Sequence, residues 1–379
     1  MTVERFVEAL DRKNIDFFSG VPDSFLNEFC EYIRKNKDNS QHIIAANEGN
    51  AVAIASGHYI ATGRLPLVYM QNSGIGNALN PIVSLADRNV YSIPMILLIG
   101  WRGEPGINDH VQHKLQGEIT ADLLKNMEIP YQIIDQNSRE EEIVRWAFDT
   151  AMEKQQAVAL IVRKGVFSGG KKKPVDDSYP MSREDAIEAI LEYMPHDTIY
   201  VATTGRATRE LYVLREERKE SHKFDFLNVG SMGHASSIAT GMALARPSRK
   251  IVCLDGDAAA IMHMGALAAI DKSAIPNLIH IVLNNGSHES VGGQPSAGQK
   301  IEFTGIAYNC GYETVEGCVC TKEEMILALN KLEKSEKACF IDVRIRSGLR
   351  DGLGPLQVSL KQNIKELEEE LQKNNHIGR

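Results

Sequence analysis

The sequence predicts an α/β protein built from two parallel-sheet domains, and three observations carry that prediction. Short apolar runs rich in Val, Ile and Leu alternate with amphipathic helical stretches. The alternation occurs twice, on either side of a segment with no periodicity. A length of 379 residues exceeds one ordinary core and suits two domains of roughly 150 to 190 residues each.

In the first series the predicted strands are PLVYM from Pro66, PMILLI from Pro94 and VALIVR from Val158. Near-continuous apolar runs are what strands of a parallel sheet require, because helices cover both faces. The aperiodic stretch VFSGGKKKPVDDSYPMS follows from Val166, after which SREDAIEAILEYM restarts a capped helix at Ser182. This reading places one domain at residues 1–168, a linker at 169–181 and a second domain at 182–379. In the second series the strands are KIVCLD from Lys250, IHIVLN from Ile279 and CFIDVRI from Cys339. The final VSLKQNIKELEEELQK, from Val358, is predicted to be a solvated surface helix.

Composition excludes several classes of function. A net charge of -8 argues against a general nucleic-acid binder, which neutralises phosphates with a basic face. The opening MTVERFVEALDRKNIDFF alternates charged and apolar residues and lacks a signal-peptide core. No apolar run reaches the roughly 18 to 20 residues needed to span a bilayer, so a cytoplasmic protein without a membrane segment is expected. The six cysteines are scattered, and Cys318 with Cys320 supplies too few ligands for a metal site, so reduced thiols are expected.

The sharpest chemical signal is Asp255-Gly256-Asp257-Ala258, directly after the apolar run IVCL, followed by Asn284-Asn285 after the run IHIVL. Two strand ends thus carry oxygen ligands, at the edge where open α/β sheets bind their ligands. Magnesium takes near-octahedral oxygen coordination, and the Asp257 carboxylate, the Asn285 amide oxygen and the Ser287 carbonyl suit it, with phosphate oxygens and water completing the shell.

Asp257 and Asn285 lie 28 positions apart with a predicted helix, AIMHMGALAAI, between them. The pair resembles the magnesium and diphosphate signature of thiamine-diphosphate (ThDP) enzymes, with Ala258 where that family has glycine. The resemblance implies the ThDP-binding fold: a pyrimidine-binding N-terminal domain, a diphosphate-binding C-terminal domain, and ThDP with Mg2+ as cofactors. It places Gly256, Asp257, Ala258, Asn285 and Ser287 at the diphosphate. In AANEGNAVAIASGHYIATG, Glu48 is a single carboxylate opening a small, apolar helix. An apolar pocket raises a carboxyl pKa, so Glu48 is expected to stay protonated and donate to the cofactor's pyrimidine nitrogen. SGIGNALNPI, with Gly74, is similar to the family's glycine-rich turn, and the resemblance implies cofactor binding by Thr204 and Gly205 in TTGRATRELY. NVGSMGHASSIATGMALA resembles the segment threading the cofactor, with Ser231 beside it and Met232 under the thiazolium.

Further likeness concerns the reaction. The chain has the two cofactor domains without a central one, as in phosphonopyruvate and sulfopyruvate decarboxylases. GVPDSFLNEF from Gly20, TTGRATRELY, NNGSHESVGGQP from Asn284 and RIRSGLRDGLGPL from Arg344 are most similar to the phosphonopyruvate branch. That likeness implies an anionic 2-oxo acid substrate, 3-phosphonopyruvate, converted to phosphonoacetaldehyde and carbon dioxide in phosphonate biosynthesis. Arg346, Ser347 and Arg350, with Ser24, are candidates for the phosphonate, because arginine suits tetrahedral anions. The segment WRGEPGINDHVQHKLQG resembles the histidine loop of related decarboxylases. There His110 or His113 is a candidate proton relay, and Lys114 an attraction for the anion; His288 is comparable. The family also implies a homo-oligomer, at least a dimer, with active sites between subunits. The alternatives are sulfopyruvate as substrate, a carboligase, or a non-catalytic ThDP-binding protein.

Overall fold

The computed structural model describes residues 1–167, 178–348, 350 and 352–373. Most of the expected linker, residues 169–177, lies outside them. The chain divides into two compact units, Met1–Lys173 with Val291–Gln294 and Pro174–Ser290 with Pro295–Arg379.

The first unit holds strands β1 (Phe18–Gly20), β2 (His42–Ile44), β3 (Leu67–Gln71), β4 (Met95–Gly100), β5 (Tyr131–Ile134) and β6 (Ala157–Val162). Its helices are α1 (Val3–Arg12), α2 (Asn27–Asn36), α3 (Glu48–Thr62), α4 (Ile75–Pro81), α5 (Lys114–Asn126) and α6 (Glu140–Lys154). The sheet order is β2-β1-β3-β4-β6-β5, and every pairing is parallel. Successive residues alternate between faces. Leu67 and Tyr69 of β3 join one apolar cluster while Val68 and Met70 join the other, so both faces are buried.

The second unit repeats the plan. Its strands are β7 (Ile199–Ala202), β8 (Asp225–Leu227), β9 (Ile251–Gly256), β10 (Leu278–Asn284), the two-residue β11 (Ser287–His288), β13 (Glu313–Thr314) and β14 (Cys339–Arg344), while the two-residue β12 (Gln294–Pro295) has its first residue in the first unit and its second in this one. Its helices are α7 (Arg183–Tyr193), α8 (Arg206–Glu217), α9 (Ala235–Ala245), α10 (Asp257–Met262), α11 (Phe303–Asn309), α12 (Lys322–Leu332) and α13 (Leu360–Lys373). The main sheet runs β13-β14-β10-β9-β7-β8, again all parallel. Val252 and Leu254 face one core cluster, Ile251 and Cys253 the other. The expected fold class is thus present in both units. The cysteines are free thiols, and no described helix is long and apolar enough to cross a membrane.

Three local expectations differ from the structure. The helix expected over AIMHMGALAAI is broken at His263 (φ -132, ψ 46) into α10 and a 3-10 turn, Met264–Ala268. Gly265, a poor helix former, sits in that turn. The expected glycine-rich turn from Ser73 is helical, a 3-10 turn at Asn72–Gly74 running into α4, with Gly74 at φ -70. Glycine serves there for close approach rather than for a left-handed backbone. The charged C-terminal helix is not wholly solvated. Leu367 is buried, and the Asn363 amide donates to the carbonyls of His222 and Asp225.

Candidate active site

In the first unit β1 lies between β2 and β3, so the chain leaves β1 to one side and returns on the other. Such a switch point is where open α/β sheets bind ligands. Glu48 opens α3 after β2, with Asn47 as its N-cap accepting from the Asn50 N–H at 2.9 Å. Its side chain is only 5% exposed, and its Oε2 accepts from the Asn77 amide at 2.7 Å. A Cβ on Gly74 would lie 2.5 Å from the Glu48 carboxylate, so the α3 start and the turn after β3 are closely packed. The sequence-derived pair Glu48 and Gly74 is therefore brought together.

The loops after β1 and β4 form a second cluster. Asp23 is fully buried, and burial pushes its pKa up to about 6, against the Phe25 N–H and the Arg102 charge. One of its oxygens, Oδ1, has no hydrogen-bond partner among the described residues. Arg102 grips Asp109 with two hydrogen bonds of 2.7 and 2.6 Å and donates to Ser24 Oγ at 3.1 Å. Burial pushes the Asp109 carboxyl up, but the guanidinium and the Gly103 and His110 N–H groups outweigh it and hold the carboxyl well below its usual range. His113 is half-buried, and desolvation, aided by the Arg102 charge, lowers its pKa to about 4. His110 and Lys114 are exposed, with the His110 ring 6.4 Å from that of His113. Sequence reasoning selected Ser24, His110, His113 and Lys114 here but passed over Asp23, Arg102 and Asp109. The quoted GVPDSF and WRGEPGINDH segments contain all three, but nothing local marks a buried carboxyl.

In the second unit the switch point lies between β7 and β9. Thr203, Thr204 and Gly205 follow β7, Gly256 and Asp257 end β9 and open α10, and Asn285 follows β10. The three strands are neighbours, so these segments converge: a Cβ on Gly256 would sit 3.8 Å from Thr203, and one on Gly205 2.6 Å from Ser290 Oγ. Gly205 has φ 100, which only glycine adopts without strain. A Cβ on Gly233 would meet His263, Ala259 and Met262, so Ser231 (φ 52, exposed) and half-buried Met232 lie beside α10.

Asp257 is 2% exposed, and burial pushes its pKa up to about 6, against hydrogen bonding from Ser296 and the Arg183 charge. Ser296 Oγ donates to its Oδ2, and a Cβ on Gly298 would approach that oxygen to 2.4 Å. Ala258 is buried behind it. Asn285 Oδ1 accepts from the Ser287 N–H at 3.0 Å. Behind this loop, Asp255 Oδ1 accepts from the Gly256 N–H at 2.9 Å, and its Oδ2 lies 3.2 Å from His280 Nε2.

Chemically, the Asp257 carboxylate and the Asn285 amide oxygen, at the ends of the adjacent strands β9 and β10, are donor types suited to a hard dication. The Thr203 hydroxyl and the Asn228 amide nitrogen, at the ends of β7 and β8, are buried without hydrogen-bond partners among the described residues. Those donors fit an anionic phosphate group. Arg206, half-buried at the start of α8 with an unpartnered Nε, is a cation that sequence reasoning passed over. The two arginines chosen for the substrate are engaged within the fold rather than free. Arg350 pairs with Glu184 and Glu217, and Arg346 binds the Pro180 carbonyl and lies 3.8 Å from Asp185. Gly348, beside Ser347, donates to Glu289 at 2.6 Å, and Glu289 also accepts from Asn285 at 3.2 Å.

Residues 1–125 match the model "Thiamine pyrophosphate enzyme, N-terminal TPP binding domain", and residues 203–343 match "Thiamine pyrophosphate enzyme, C-terminal TPP binding domain", thiamine pyrophosphate being another name for ThDP. Fold and both matches define one class, the ThDP-binding enzymes. Among curated relatives, phosphonopyruvate decarboxylase of Streptomyces viridochromogenes is 31% identical over 93% of this chain and 90% of its own. That of Streptomyces hygroscopicus is 30% identical over 89% and 85%. Sulfopyruvate decarboxylase of Methanosarcina acetivorans is 28% identical over 91% of each. The chain belongs to the ThDP-dependent 2-oxo acid decarboxylases, in the family of the phosphonopyruvate decarboxylases.

Proposed function

We propose that this is a cytoplasmic enzyme that uses ThDP and Mg2+ to convert 3-phosphonopyruvate to phosphonoacetaldehyde and carbon dioxide, a step of phosphonate biosynthesis. The observation that carries the reading is Glu48, a buried carboxyl opening a helix and closely packed by Gly74. When bound, ThDP supplies the electron sink that makes a 2-oxo acid release its carboxylate. Glu48 would hydrogen-bond the pyrimidine ring nitrogen, with Asn77 fixing one of its carboxyl oxygens at 2.7 Å. Asp257, Asn285 and the Ser287 carbonyl would hold Mg2+, while Thr204, Gly205, Gly256 and Ala258 would line the diphosphate, and Ser231 and Met232 would support the ring. In the net reaction the C1–C2 bond breaks, carbon dioxide leaves and C2 gains a proton. We assign the handling of that proton to Asp23, poised near pH 6, and His113, neutral at pH 7, with the His110 ring 6.4 Å from that of His113.

The phosphonate is assigned to Arg346 and Ser347, with Arg350, Lys114 and Ser24 as further donors. A dianion would displace the carbonyl and carboxylates that hold the arginines. Glu48 and Asp257 stand in different units, and we place the complete site in a homo-oligomer of at least two chains. The Methanosarcina relative supports a second reading, sulfopyruvate as substrate.

Carbon dioxide release from phosphonopyruvate, sulfopyruvate and pyruvate, measured in parallel with ThDP and Mg2+, tests the proposal. Phosphonopyruvate is expected to turn over fastest, and Glu48→Ala to lower kcat by about 10² to 10⁴. Preference for another acid would overturn the substrate, and turnover undiminished in Glu48→Ala would overturn the role of Glu48.

A further inference from the structure

Glu289, in the loop after β10, joins three segments that lie far apart in the sequence. One oxygen accepts from the Gly348 N–H at 2.6 Å, on the loop that carries Arg346 and Ser347. The other accepts from the Asn285 amide at 3.2 Å and from Arg183 at the start of α7. Arg183 is buried and also donates to Glu210 at 2.9 Å, so the guanidinium is clamped between two carboxylates and holds Glu289 from behind. An amide has a donor end and an acceptor end. Fixing the Asn285 nitrogen on a carboxylate decides which way the oxygen faces, and a charged acceptor also polarises the amide toward a more basic oxygen.

We propose that Glu289 is a positioning residue that sets the Asn285 oxygen for the cation and, through the Gly348 N–H, ties the 346–348 loop to the same point. The inference rests on the reading of Asp257 and Asn285 as cation ligands. A glutamine at 289 keeps the size of the side chain but replaces one acceptor oxygen by a donor. The three donors now on Glu289 would then compete for one oxygen, and at least one would face an N–H group.

The test is calorimetric titration of the full-length chain with Mg2+ at saturating ThDP, for the wild type and for Glu289→Gln, Glu210→Gln and Asp257→Ala, together with KM for the 2-oxo acid at saturating Mg2+. Glu289→Gln is expected to weaken Mg2+ about 10- to 100-fold, the range for losing a partner of a metal ligand. Its KM is expected to stay raised at saturating Mg2+, because the 346–348 loop has lost its anchor. Glu210→Gln disturbs the same buried Arg183 without touching Asn285. It is expected to change the melting temperature while leaving Mg2+ affinity within about twofold. Equal weakening in Glu289→Gln and Glu210→Gln would reduce Glu289 to a structural role and overturn the proposal. So would wild-type Mg2+ affinity in Glu289→Gln while Asp257→Ala has lost binding. Wild-type affinity in Asp257→Ala would instead overturn the cation reading itself.

Discussion

At the scale of single residues, the first unit carries a carboxyl kept under stress. Asp23 has a folded-state pKa of about 6 against an ordinary 3.8, because burial costs the charged form its water. The folded chain therefore holds this proton more tightly than the unfolded chain, and stability falls as pH rises from about 4 to 6. Two pKa units correspond to about 3 kcal/mol. Asp23→Asn removes the charge and is expected to raise stability by about 2 kcal/mol at pH 8 and little at pH 4, while lowering activity. Urea unfolding at both pH values measures this, and equal effects at the two would rule out the burial argument. His113 is held in the opposite sense. With desolvation lowering its pKa to about 4, the ring should stay neutral throughout pH 8 to 5.5. Ring-carbon shifts in an NMR titration report it directly, and a midpoint near 6.5 would contradict the half-buried setting.

At the scale of elements, glycines govern how close the site segments come. Gly74 has an ordinary helical backbone, so its value lies in the missing side chain, whose Cβ would stand 2.5 Å from the Glu48 carboxylate. Gly74→Ala is expected to push that carboxyl aside and lower kcat on the order of 10- to 100-fold, since small misplacements at a reacting centre are costly. The melting temperature should fall only slightly. Steady-state kinetics beside calorimetric melting separate the two effects, and unchanged kcat would show that Glu48 tolerates the displacement. Much of this scale was legible in the sequence. The strand runs at Leu67, Met95, Ala157, Ile251, Leu278 and Cys339 stand out because burial on both faces demands uninterrupted apolar side chains. The short strands β1, β2, β8 and β13 do not, since two or three residues carry no period, and β2 is only half-buried at the sheet edge.

At the scale of the whole molecule, Glu48 stands in one unit and Asp257 and Asn285 in the other, so in the function proposed above each unit would supply part of the cofactor apparatus. A ligand that binds only the folded state stabilises it by mass action. Removing Mg2+ with a chelator is therefore expected to lower the melting temperature of the ThDP-loaded protein and to leave that of the cofactor-free protein unchanged. Scanning calorimetry with and without chelator checks this, and equal shifts in both would dissociate the cation from the cofactor.

The sequence by itself determined the two-part α/β layout, the resemblance to ThDP enzymes, and the positions of Glu48, Asp257 and Asn285. Each of these is a local signal: an apolar run of strand length, a lone carboxylate in an apolar helix, or oxygen-bearing side chains placed directly after a strand. Only the tertiary structure decided what surrounds them. Buried Asp23 beside Arg102, the pairing of Arg350 with Glu184 and Glu217, and the joining of Asn285 to Gly348 through Glu289 all link residues from separate elements. Those meetings join loops and helices that lie far apart in the chain, around sheets whose strand orders depart from chain order, β2-β1-β3 in one and β14-β10-β9-β7 in the other. Burial, and with it the pKa of a carboxyl, is set by which elements close over it, and spacing along the chain does not encode that.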